Sequence, residues 1–478
     1  MSTEAGAPGR TENEAMKPLP WKSVIGYGAG DAANNVAFTT TTMFLLIYYT
    51  DVLGLSAVVG GMILGVVRVL DAFFDIFAGA VVDGAKVRRL GKFRPFLVVG
   101  AVPLLILAFL NFHIPRIGES GMLLLAFLAY ALMGLVYSLV NIPFGSMAGA
   151  MTQRDDDRAK LGSARVVGAT IVGASLSAFV APLLEPGPGL QGIFTRVLLT
   201  LVIVGFVLYI VCIATTRERV VRDVASVPLR RSLKAVGQNK PLLMLMASSV
   251  FFLSSYLYLN TVQVYYVRDA LNAPELFPVI AIGQLAMTFV LVILMPKLVL
   301  RFGKKHLYMF FGALVVLGGL IMAFNPGGSA VGGLIGLLVA LGGVLGNNVV
   351  VFALEADTVE YGEWKTGVRS EGSIYAVFSF TRKVGQSIGG MLAGVGLGWA
   401  GYVSGAADQS AETLHGMQLT SGLFPAALAL IATLIMIRYP LTEKAHTGIM
   451  EQIQIRRETG TMPQVDPFED ERRPGRRR

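Results

Sequence analysis

The sequence predicts an all-α membrane protein with twelve transmembrane helices in two six-helix halves, and three observations predict it. Apolar residues make up 54% of the 478-residue chain and charged residues only 15%, whereas charged residues are about a quarter of a soluble domain. Apolar segments of about 20 residues, enough to cross a bilayer core as a helix, recur along the whole chain. A polar stretch at 215–241 divides these segments six and six.

The predicted spans are helices because a bilayer core offers no hydrogen-bond partners to an open backbone. They lie at 24–49, 57–82, 95–113, 121–149, 161–184, 193–214, 241–267, 276–298, 306–325, 329–354, 371–402 and 414–438. Around them the chain divides into five segments, namely an N-terminal tail at 1–22, a first half at 23–214, a central loop at 215–240, a second half at 241–438 and a C-terminal tail at 439–478. The sequence of the C-terminal tail predicts a short surface helix followed by a disordered, charged end.

Lysine and arginine residues are concentrated in alternate loops. Five of them lie between spans 2 and 3, seven between spans 6 and 7, and four between spans 8 and 9, while the loops on the other side hold Arg116 and Arg268. The positive-inside rule therefore predicts a multi-pass plasma (inner) membrane protein with both termini in the cytoplasm. This orientation explains the net charge of +9, so no nucleic-acid partner is expected. The polar N-terminus has no apolar core, and no removable signal peptide is expected.

The two halves are related by an internal repeat. Three pairs of segments correspond in the same order: 48–53 with 265–271, 89–92 with 301–304, and 165–171 with 382–388. The first and third pairs are displaced by 217 residues. Parallel six-helix repeats about an axis along the membrane normal are the architecture of the major facilitator superfamily, in which substrate binds near the midplane between the halves. Convergent composition of the basic loops is the alternative explanation.

Three charged residues lie on one face of span 2. Arg68, Asp71 and Asp75 are spaced i, i+3 and i+7, and each costs roughly 2.5–3.5 kcal/mol at a helix centre on insertion scales. Two carboxylates one turn apart resist joint ionisation, so one of them is expected to bind and release a proton near neutrality. They are equally suited to ligate a small cation such as sodium. A structural salt bridge to Arg68 is the alternative.

Polar side chains also interrupt spans 1 and 4. Asp31 and Asn34 lie in span 1, and Tyr137 and Asn141 lie in span 4 within one turn of Pro143, where a kink would free backbone carbonyls. A carboxylate, amides and a phenol suit the binding of several sugar hydroxyls. Polar packing between helices is the alternative for the amides.

Spans 5 and 11 carry cations without a local acid. Arg165 in span 5 and Arg382 in span 11 are candidates for binding an anionic substrate, because a guanidinium makes forked contacts with a carboxylate. The same two residues and Lys383 are also candidates to neutralise the acids of span 2. The chain shows no nucleophile with a base, no metal-ligand set and no phosphate loop, so it is not predicted to be an enzyme and no catalytic residue or cofactor is expected. Its single cysteine, Cys212, excludes a disulfide framework within the chain.

Motifs along nearly the whole chain resemble the glycoside, pentoside and hexuronide:cation symporters, a branch of the major facilitator superfamily. They are GDAANN and YYTDVLG in span 1, VRVLDAFFDIFAGAVVD and GKFRPF around span 2, YSLVNIPFGSM in span 4, TTRERVV in the central loop, ALEADTVEYGEWKTGVRSEG after span 10 and FSFTRKVGQSIGG in span 11. Within this family the motifs are most similar to the bacterial glucuronide permeases and less similar to the melibiose permeases.

The resemblance implies roles for particular residues. In melibiose permeases the acidic pair of helix 2 forms the cation site, and Asp71 and Asp75 stand at the matching places. The helix 4 hydroxyl that assists this site corresponds to Ser138, and the helix 11 lysine corresponds to Lys383. Cation coupling is therefore expected from these four residues, and substrate binding from Asp31, Asn34, Tyr137, Asn141, Arg165 and Arg382.

Three departures from the melibiose pattern adjust this expectation. Phe74 replaces an Asn that helps to hold sodium, so a proton is the expected coupling ion and sodium the alternative. Asn141 replaces a carboxylate that binds galactosides, and Gly145 replaces an aromatic residue, which makes the site less acidic and wider. A carboxylate there would repel an anionic substrate, whereas Arg165 supplies a counter-charge.

The predicted function is inward symport of a sugar-type solute, most simply a glucuronide or hexuronide, with a cation, by alternating access. A sodium-coupled carrier of a neutral glycoside or pentoside is one alternative. A carrier of an amphipathic, lipid-like solute is another, permitted by the wider site and the Phe73–Phe74 pair. The lipid bilayer, the substrate and the coupling ion are the expected partners; no sequence feature determines an oligomeric state, and a monomer fits the repeat.

Overall fold

The computed structural model describes residues 17–86, 90–152, 154–219, 237–325, 329–367, 371–406 and 408–459. Within these ranges the chain forms thirteen long helices: α1 (Trp21–Ile47), α2 (Ala57–Asp83), α3 (Arg94–Leu110), α4 (Glu119–Met151), α5 (Asp155–Ser175), α6 (Leu190–Thr215), α7 (Lys240–Tyr265), α8 (Phe277–Phe302), α9 (Lys304–Ala323), α10 (Ala330–Thr366), α11 (Glu371–Trp399), α12 (Ala411–Ile437) and α13 (Glu443–Thr459). The first twelve fall on the twelve predicted spans, which confirms the predicted all-α membrane fold.

Most of these helices suit a bilayer by length and composition. Nine in the described part of the chain are long and apolar enough to cross a membrane. The other three of the twelve are α1 and α11, which are rich in glycine and polar side chains, and α3, which has 17 residues. Helix α13 is the short surface helix expected in the C-terminal tail, while the predicted disordered end lies outside the described residues.

Helix α10 is longer than the sequence indicated. It continues twelve residues beyond the predicted end at 354 and stops at Gly367, which adopts a left-handed conformation with φ 73°. The extension contains charged residues and lies beyond the predicted span. It remains helical because Glu355, Asp357 and Tyr361 are buried along it.

The chain folds into two compact units. The first comprises Met1–Val224, Asn260–Leu285 and Gly390–Thr420, and the second comprises Ala225–Leu259, Ala286–Gly389 and Ser421–Arg478. The C-terminal ends of α7 and α11 and the N-terminal ends of α8 and α12 therefore belong to the first unit. Each unit has its own charged side chains within the helices.

The start of the third helix in each half is capped in the same way. In the first unit the Glu218 carboxylate accepts hydrogen bonds from the backbone N–H groups of Lys92 at 2.7 Å and Arg94 at 2.9 Å. In the second unit the Glu443 carboxylate accepts one from Lys304 at 2.7 Å. A carboxylate satisfies the free N–H groups and the positive dipole end of a helix. The preceding Gly91 and Gly303 have φ values of 100° and 76°, a conformation that glycine adopts without strain.

The two tyrosine segments of the repeat also share a backbone feature. The residues after α1, Tyr48–Val52, and those after α7, Tyr266–Ala270, each form a π-helical turn. Such turns are rare and commonly occur at functional positions. Their occurrence at both corresponding segments supports the internal repeat.

Arg268 joins four segments of the first unit. Its guanidinium forms ion pairs with Asp51 and Asp269, both at 2.8 Å, and donates to the Leu184 carbonyl oxygen at 2.9 Å and to the Tyr402 hydroxyl at 3.1 Å. The Tyr402 hydroxyl in turn donates to Asp51 at 2.6 Å. We call these residues the Arg268 cluster. Asp51 and Arg268 are equivalent positions of the repeat, 217 residues apart, so the repeat has diverged to opposite charges that pair with one another.

Candidate functional site

The acids of α2 have different partners. Asp71 is buried, and its Oδ2 lies 3.4 Å from Nη1 of Arg68. The other end of this guanidinium donates to the Thr42 hydroxyl at 3.0 Å and lies over the Phe38 ring, 4.3 Å from its centroid. Arg68 is therefore held between α1 and α2 and forms an ion pair with Asp71.

Asp75 is held by a hydroxyl of α4. The Ser138 Oγ donates to the Asp75 carboxylate at 2.6 Å, and Ser138 is buried while Asp75 is half-buried. The structure therefore brings together three of the four residues expected in cation coupling, Asp71, Asp75 and Ser138, within the first unit. The fourth, Lys383, lies half-buried on α11 in the second unit.

Arg165 forms its ion pair with Asp31. Its Nε lies 2.7 Å from the Asp31 Oδ1, and the other carboxylate oxygen accepts a hydrogen bond from the Asn35 amide at 3.0 Å. Among the residues that the structure describes, the acids of α2 form no ion pair with Arg165. The sequence did not reveal this pairing because the two residues lie 134 positions apart.

The rest of the Arg165 guanidinium lies beside α4. A β-carbon placed on Gly145 would be 3.7 Å from its Nη1, and the guanidinium lies 5.3 Å from the centroid of the Phe144 ring. Phe144 stacks on Tyr27 with 4.5 Å between the ring centroids. Sequence reasoning missed Tyr27 and Phe144; the signal available for Tyr27 is its position one turn before Asp31 on α1. An aromatic residue at Gly145 would occupy the space beside Nη1.

Tyr137 is half-buried on α4, and its ring packs against Phe38 of α1 with 5.5 Å between the ring centroids. The Asp31–Arg165 pair and the Arg68 and Asp75 side chains act on it electrostatically. Its role in substrate binding stays a prediction.

The two candidate asparagines differ in their availability. Asn34 is buried, and its Oδ1 accepts a hydrogen bond from the Tyr209 hydroxyl at 2.5 Å. It therefore links α1 to α6, which is the packing alternative. Asn141 is half-buried, and its amide forms no hydrogen bond with the residues that the structure describes. Its donor and acceptor remain open to a hydroxylated ligand.

Arg382 lies on α11 in the second unit. Its guanidinium is 4.8 Å from the centroid of the Phe352 ring on α10, and its Nη1 is buried without a hydrogen-bond partner among the described residues. The carboxylate that acts on this guanidinium electrostatically belongs to Glu355. Glu355 was not among the residues singled out from the sequence.

A cavity of about 1110 Å³ lies elsewhere in the first unit, along α1, α5 and α6. It is lined mainly by apolar side chains, and Trp21, Ile25 and Phe179 on its rim are exposed. None of the candidate substrate-binding residues lines it. A sugar needs several polar partners, so this cavity is a groove suited to acyl chains and not the transport site.

Comparison with known proteins agrees with this architecture. The family described as MFS/sugar transport protein matches residues 26–443. The chain is 41% identical over 443 residues to the glucuronide carrier protein homolog of Escherichia coli (strain K12), covering 92% of this chain and 96% of that protein. It is 36% identical over 459 residues to a putative 2,3-dihydroxypropane-1-sulfonate exporter of Salmonella typhimurium, covering 94% and 99%.

The fold is also that of solved transporter structures. The crystal structure of the nucleoside transporter NupG matches with a TM-score of 0.61 and 13% sequence identity, covering 87% of this chain and 99% of that one. At this identity the likeness concerns the fold alone. The helices, the charged side chains within them and the match over nearly the whole length identify a multi-pass membrane transporter of sugar-type solutes and not an enzyme. The chain belongs to the MFS/sugar transport protein family.

Proposed function

We propose that this transporter imports an anionic sugar-type solute, a glucuronide or hexuronide, together with a proton. The observation that carries the proposal is the Arg165 guanidinium, which is paired with Asp31 through Nε while its Nη1 end lies beside Gly145. Its side chain is 37% exposed, so a ligand can reach it. A carboxylate can accept forked hydrogen bonds from such a group.

The names of two relatives support an anionic substrate. One is named for a glucuronide and the other for a dihydroxypropane sulfonate. Both compounds combine hydroxyl groups with an acid that is ionised at neutral pH. A site for such molecules needs amide and phenol groups for the hydroxyls and a cation for the acid, and Asn141, Tyr137 and Arg165 supply these groups.

Asp71 and Asp75 are proposed as the coupling pair, with Ser138 and Lys383 assisting. Asp75 accepts a hydrogen bond from Ser138, a contact that fits a carboxylate which exchanges a proton. Phe74 offers no ligand to sodium, so a proton is the proposed coupling ion. The Asp31–Arg165 pair and Asp75 both act electrostatically on Tyr137, and we propose this phenol as the link between the ion and the substrate. Alternating access then carries both across the membrane.

Two alternatives remain as outcomes of the test. The first is sodium-coupled transport of a neutral glycoside or pentoside, for which Asp71 and Asp75 would be the metal ligands. The second is a lipid-like solute. The Phe73 side chain is 55% exposed on a stripe of α2 with Ile76 and Phe77, opposite the charged face. At this position Phe73 is suited to contact with lipid, so it does not contribute to a wide apolar substrate site.

We place the transporter in the plasma (inner) membrane with both termini in the cytoplasm, because lysine and arginine are concentrated in alternate loops. Labelling with an impermeant thiol reagent tests this orientation. In a Cys212→Ser background, a cysteine introduced at Glu458 is expected to react only in inverted vesicles. Reaction in intact cells would contradict it.

The decisive experiment is an uptake panel in proteoliposomes. Glucuronides, hexuronates, pentosides and galactosides are offered under an imposed pH gradient or an imposed sodium gradient, applied separately. The proposal expects accumulation of an anionic substrate driven by the pH gradient. Accumulation of neutral sugars driven by sodium would replace it with the first alternative, and outward transport would assign an exporter, as the name of the sulfonate relative indicates for that protein.

A further inference from the structure

Glu355 is a buried carboxylate within α10 that the proposed transport site does not use. It is 2% exposed, and it lies in the part of α10 beyond the predicted end of the span at 354. The intramembrane acids described above all lie in the first unit, whereas Glu355 lies in the second. A carboxylate buried at this depth requires either a positive partner or a proton.

The positive charge that faces Glu355 is Arg382 on α11. Arg382 packs against the same face of α10, because its guanidinium lies over the ring of Phe352, one helical turn before Glu355. In the part of the chain that the structure describes, no hydrogen bond or ion pair joins the two side chains, and the Arg382 Nη1 is buried without an acceptor. The acid and the base therefore face one another without contact.

Two arrangements of this pair are chemically stable. In one, the Arg382 side chain moves onto an ionised Glu355 and both charges are satisfied. In the other, Glu355 holds a proton and Arg382 is satisfied by a different anion. The observed geometry lies between them, since the buried Nη1 donor has no acceptor among the described residues, and a buried donor left unsatisfied is costly. Binding of an anion at this donor removes that cost.

The surroundings of Glu355 contain few other charges. Tyr256 on α7 acts on Arg382 and not on Glu355. The hydroxyl of Tyr308 on α9 is bonded to Ser248 at 2.6 Å. Asp357, two residues further along α10, is bonded to Lys304. Lys383 is the neighbouring cation on α11 and has contacts of its own. Arg382 is therefore the group that determines whether Glu355 is charged.

From this geometry we propose that Arg382 is a second cation, besides Arg165, for the acid group of the substrate, and that Glu355 takes up a proton when Arg382 binds it. This inference rests on the proposed function, because it requires an anionic substrate. The proton comes from water, binds a carboxylate oxygen of Glu355 when the substrate occupies Arg382, and returns to water when the substrate leaves and Glu355 pairs with Arg382 again. Substrate and proton binding are thereby linked in the second unit, separately from Asp71 and Asp75.

The test measures the affinity of the purified protein for a glucuronide as a function of pH. When one proton binds with the substrate, Kd rises by about tenfold for each pH unit above the pKa of the proton-binding group. The wild type is expected to show this slope, and E355Q is expected to lose it and to bind the glucuronide without proton uptake, measured with a pH-sensitive dye. E355D is expected to restore the slope, and E363Q, a matched change on the same helix, is expected to keep it.

R382Q provides the second measurement. It is expected to weaken glucuronide binding by about 10-fold to 100-fold, the value of a charge-assisted hydrogen bond, and to leave binding of the uncharged methyl ester of the same compound within about twofold. Thermal unfolding of each variant in detergent identifies any that fails to fold, and if E355Q fails, the pH dependence of glucuronide binding by R382Q carries the test, because loss of Arg382 should also remove the slope.

The outcomes separate this inference from the proposed function. If the wild type binds the glucuronide with a pH-dependent Kd and E355Q keeps the same slope while folded, the role of Glu355 is wrong and the proposed function stands. If D71N abolishes the slope and E355Q does not, the α2 acids alone carry the linked proton. If the wild type binds no anionic hydroxylated compound, the proposed function itself fails.

Discussion

Arg165 and Arg382 occupy equivalent positions in the two repeats, yet their surroundings differ. Arg165 is bonded to Asp31 at 2.7 Å, whereas Arg382 has a buried donor for which the described part of the chain offers no acceptor, and it faces Glu355 without contact. The second helices of the two halves differ as well, because α2 carries Asp71 and Asp75 within its span and its counterpart α8 carries no acid. The comparison teaches that one copy of the repeated arginine is paired with an acid through its Nε, whereas the other keeps a buried donor without an acceptor among the described residues.

The largest expected effect comes from the acids that only the first half carries. D71N and D75N each remove a coupling carboxylate, so the inside-to-outside ratio of substrate under a pH gradient should fall steeply towards one, because this pair no longer links the gradient to transport and only the proton at Glu355 remains linked. Exchange of substrate at equal concentrations should survive. Uptake in proteoliposomes measures both quantities, with D408N, an exposed carboxylate, as the control. Full accumulation by both α2 variants would remove the coupling role from this pair.

In the Arg268 cluster the two copies of the repeat have diverged, because the equivalent positions Asp51 and Arg268 carry opposite charges. The Arg268 side chain is 4% exposed, and R268Q leaves two acids without their cation. We expect a loss of about 3–5 kcal/mol in the free energy of unfolding, the cost of breaking a buried ion pair. Thermal and denaturant unfolding in detergent measure this loss.

Exchange of the two charges sharpens that prediction. Because Asp51 and Arg268 are equivalent positions of the repeat, the double variant D51R/R268D places the same charges in contact with their order reversed. It should recover most of the stability that R268Q loses. If the double variant is as unstable as R268Q, the bonds to the Leu184 carbonyl and Tyr402, and not the charge pair, hold the cluster together.

Arg165 should matter for folding as well as for transport, in contrast to Arg382. R165Q leaves the buried Asp31 without its cation, and we expect a loss of about 2 kcal/mol, reduced from the value for a fully buried pair because Arg165 is partly exposed. The double variant D31N/R165Q should recover this stability but not the affinity for glucuronides, as measured by unfolding and by equilibrium binding. If the double variant recovers both the stability and the affinity, Arg165 has a structural role only. The matched control is R382Q, which changes the equivalent arginine that forms no ion pair with a described acid.

The smallest expected effect concerns α13 and its contact with the end of α10. The Nε2 of His446 is bonded to Glu360 and lies 3.6 Å from Asp357, which is bonded to Lys304 at 2.6 Å. The hydrogen bond to Glu360 is the main cause that raises the pKa of His446 above its usual 6.5, with the Asp357 charge adding to it and burial and Lys304 opposing it.

A raised pKa in the folded state means that protonation stabilises this contact. The contribution is complete below pH 6.5, the usual value, and is lost as the pH rises through the higher pKa of the folded state. We expect about 1 kcal/mol, a typical upper value for a partly exposed pair. The hydrogen-exchange rate of the α13 amides should rise with pH more steeply than the intrinsic exchange rate of unprotected amides. The H446Q variant should lose this additional rise. An equal excess in H446Q would assign the dependence to another group.

Much of the fold was predictable because bilayer spans depend on local composition. The register of Arg68, Asp71 and Asp75 follows from helical periodicity alone, and the structure places them as that spacing requires. The end of α10 was not predictable in the same way. Charged residues at 355–366 are typical of loops, and only contacts with other helices show that this segment is buried and helical.

The partners of the charged residues depended on the tertiary structure. The sequence showed that Arg165 has no local acid, but Asp31 lies 134 residues away, and many pairings satisfy the same composition. The contact of Ser138 with Asp75 followed from resemblance and not from spacing. Glu355 carried no sequence signal, because an acid in a polar segment looks exposed until its neighbours are known.

By itself the sequence determined that the chain crosses the bilayer about twelve times and that it keeps several charged residues inside, because hydropathy and helical period are properties of neighbouring residues. Only the tertiary structure decided which of these charges are satisfied and which are not. The physical reason is that a buried charge is governed by the few atoms within hydrogen-bonding distance, and the chain brings those atoms together from different helices. In this protein the tertiary structure distinguishes Arg165, bonded to Asp31, from Arg382, which faces Glu355 with a donor that no described residue accepts.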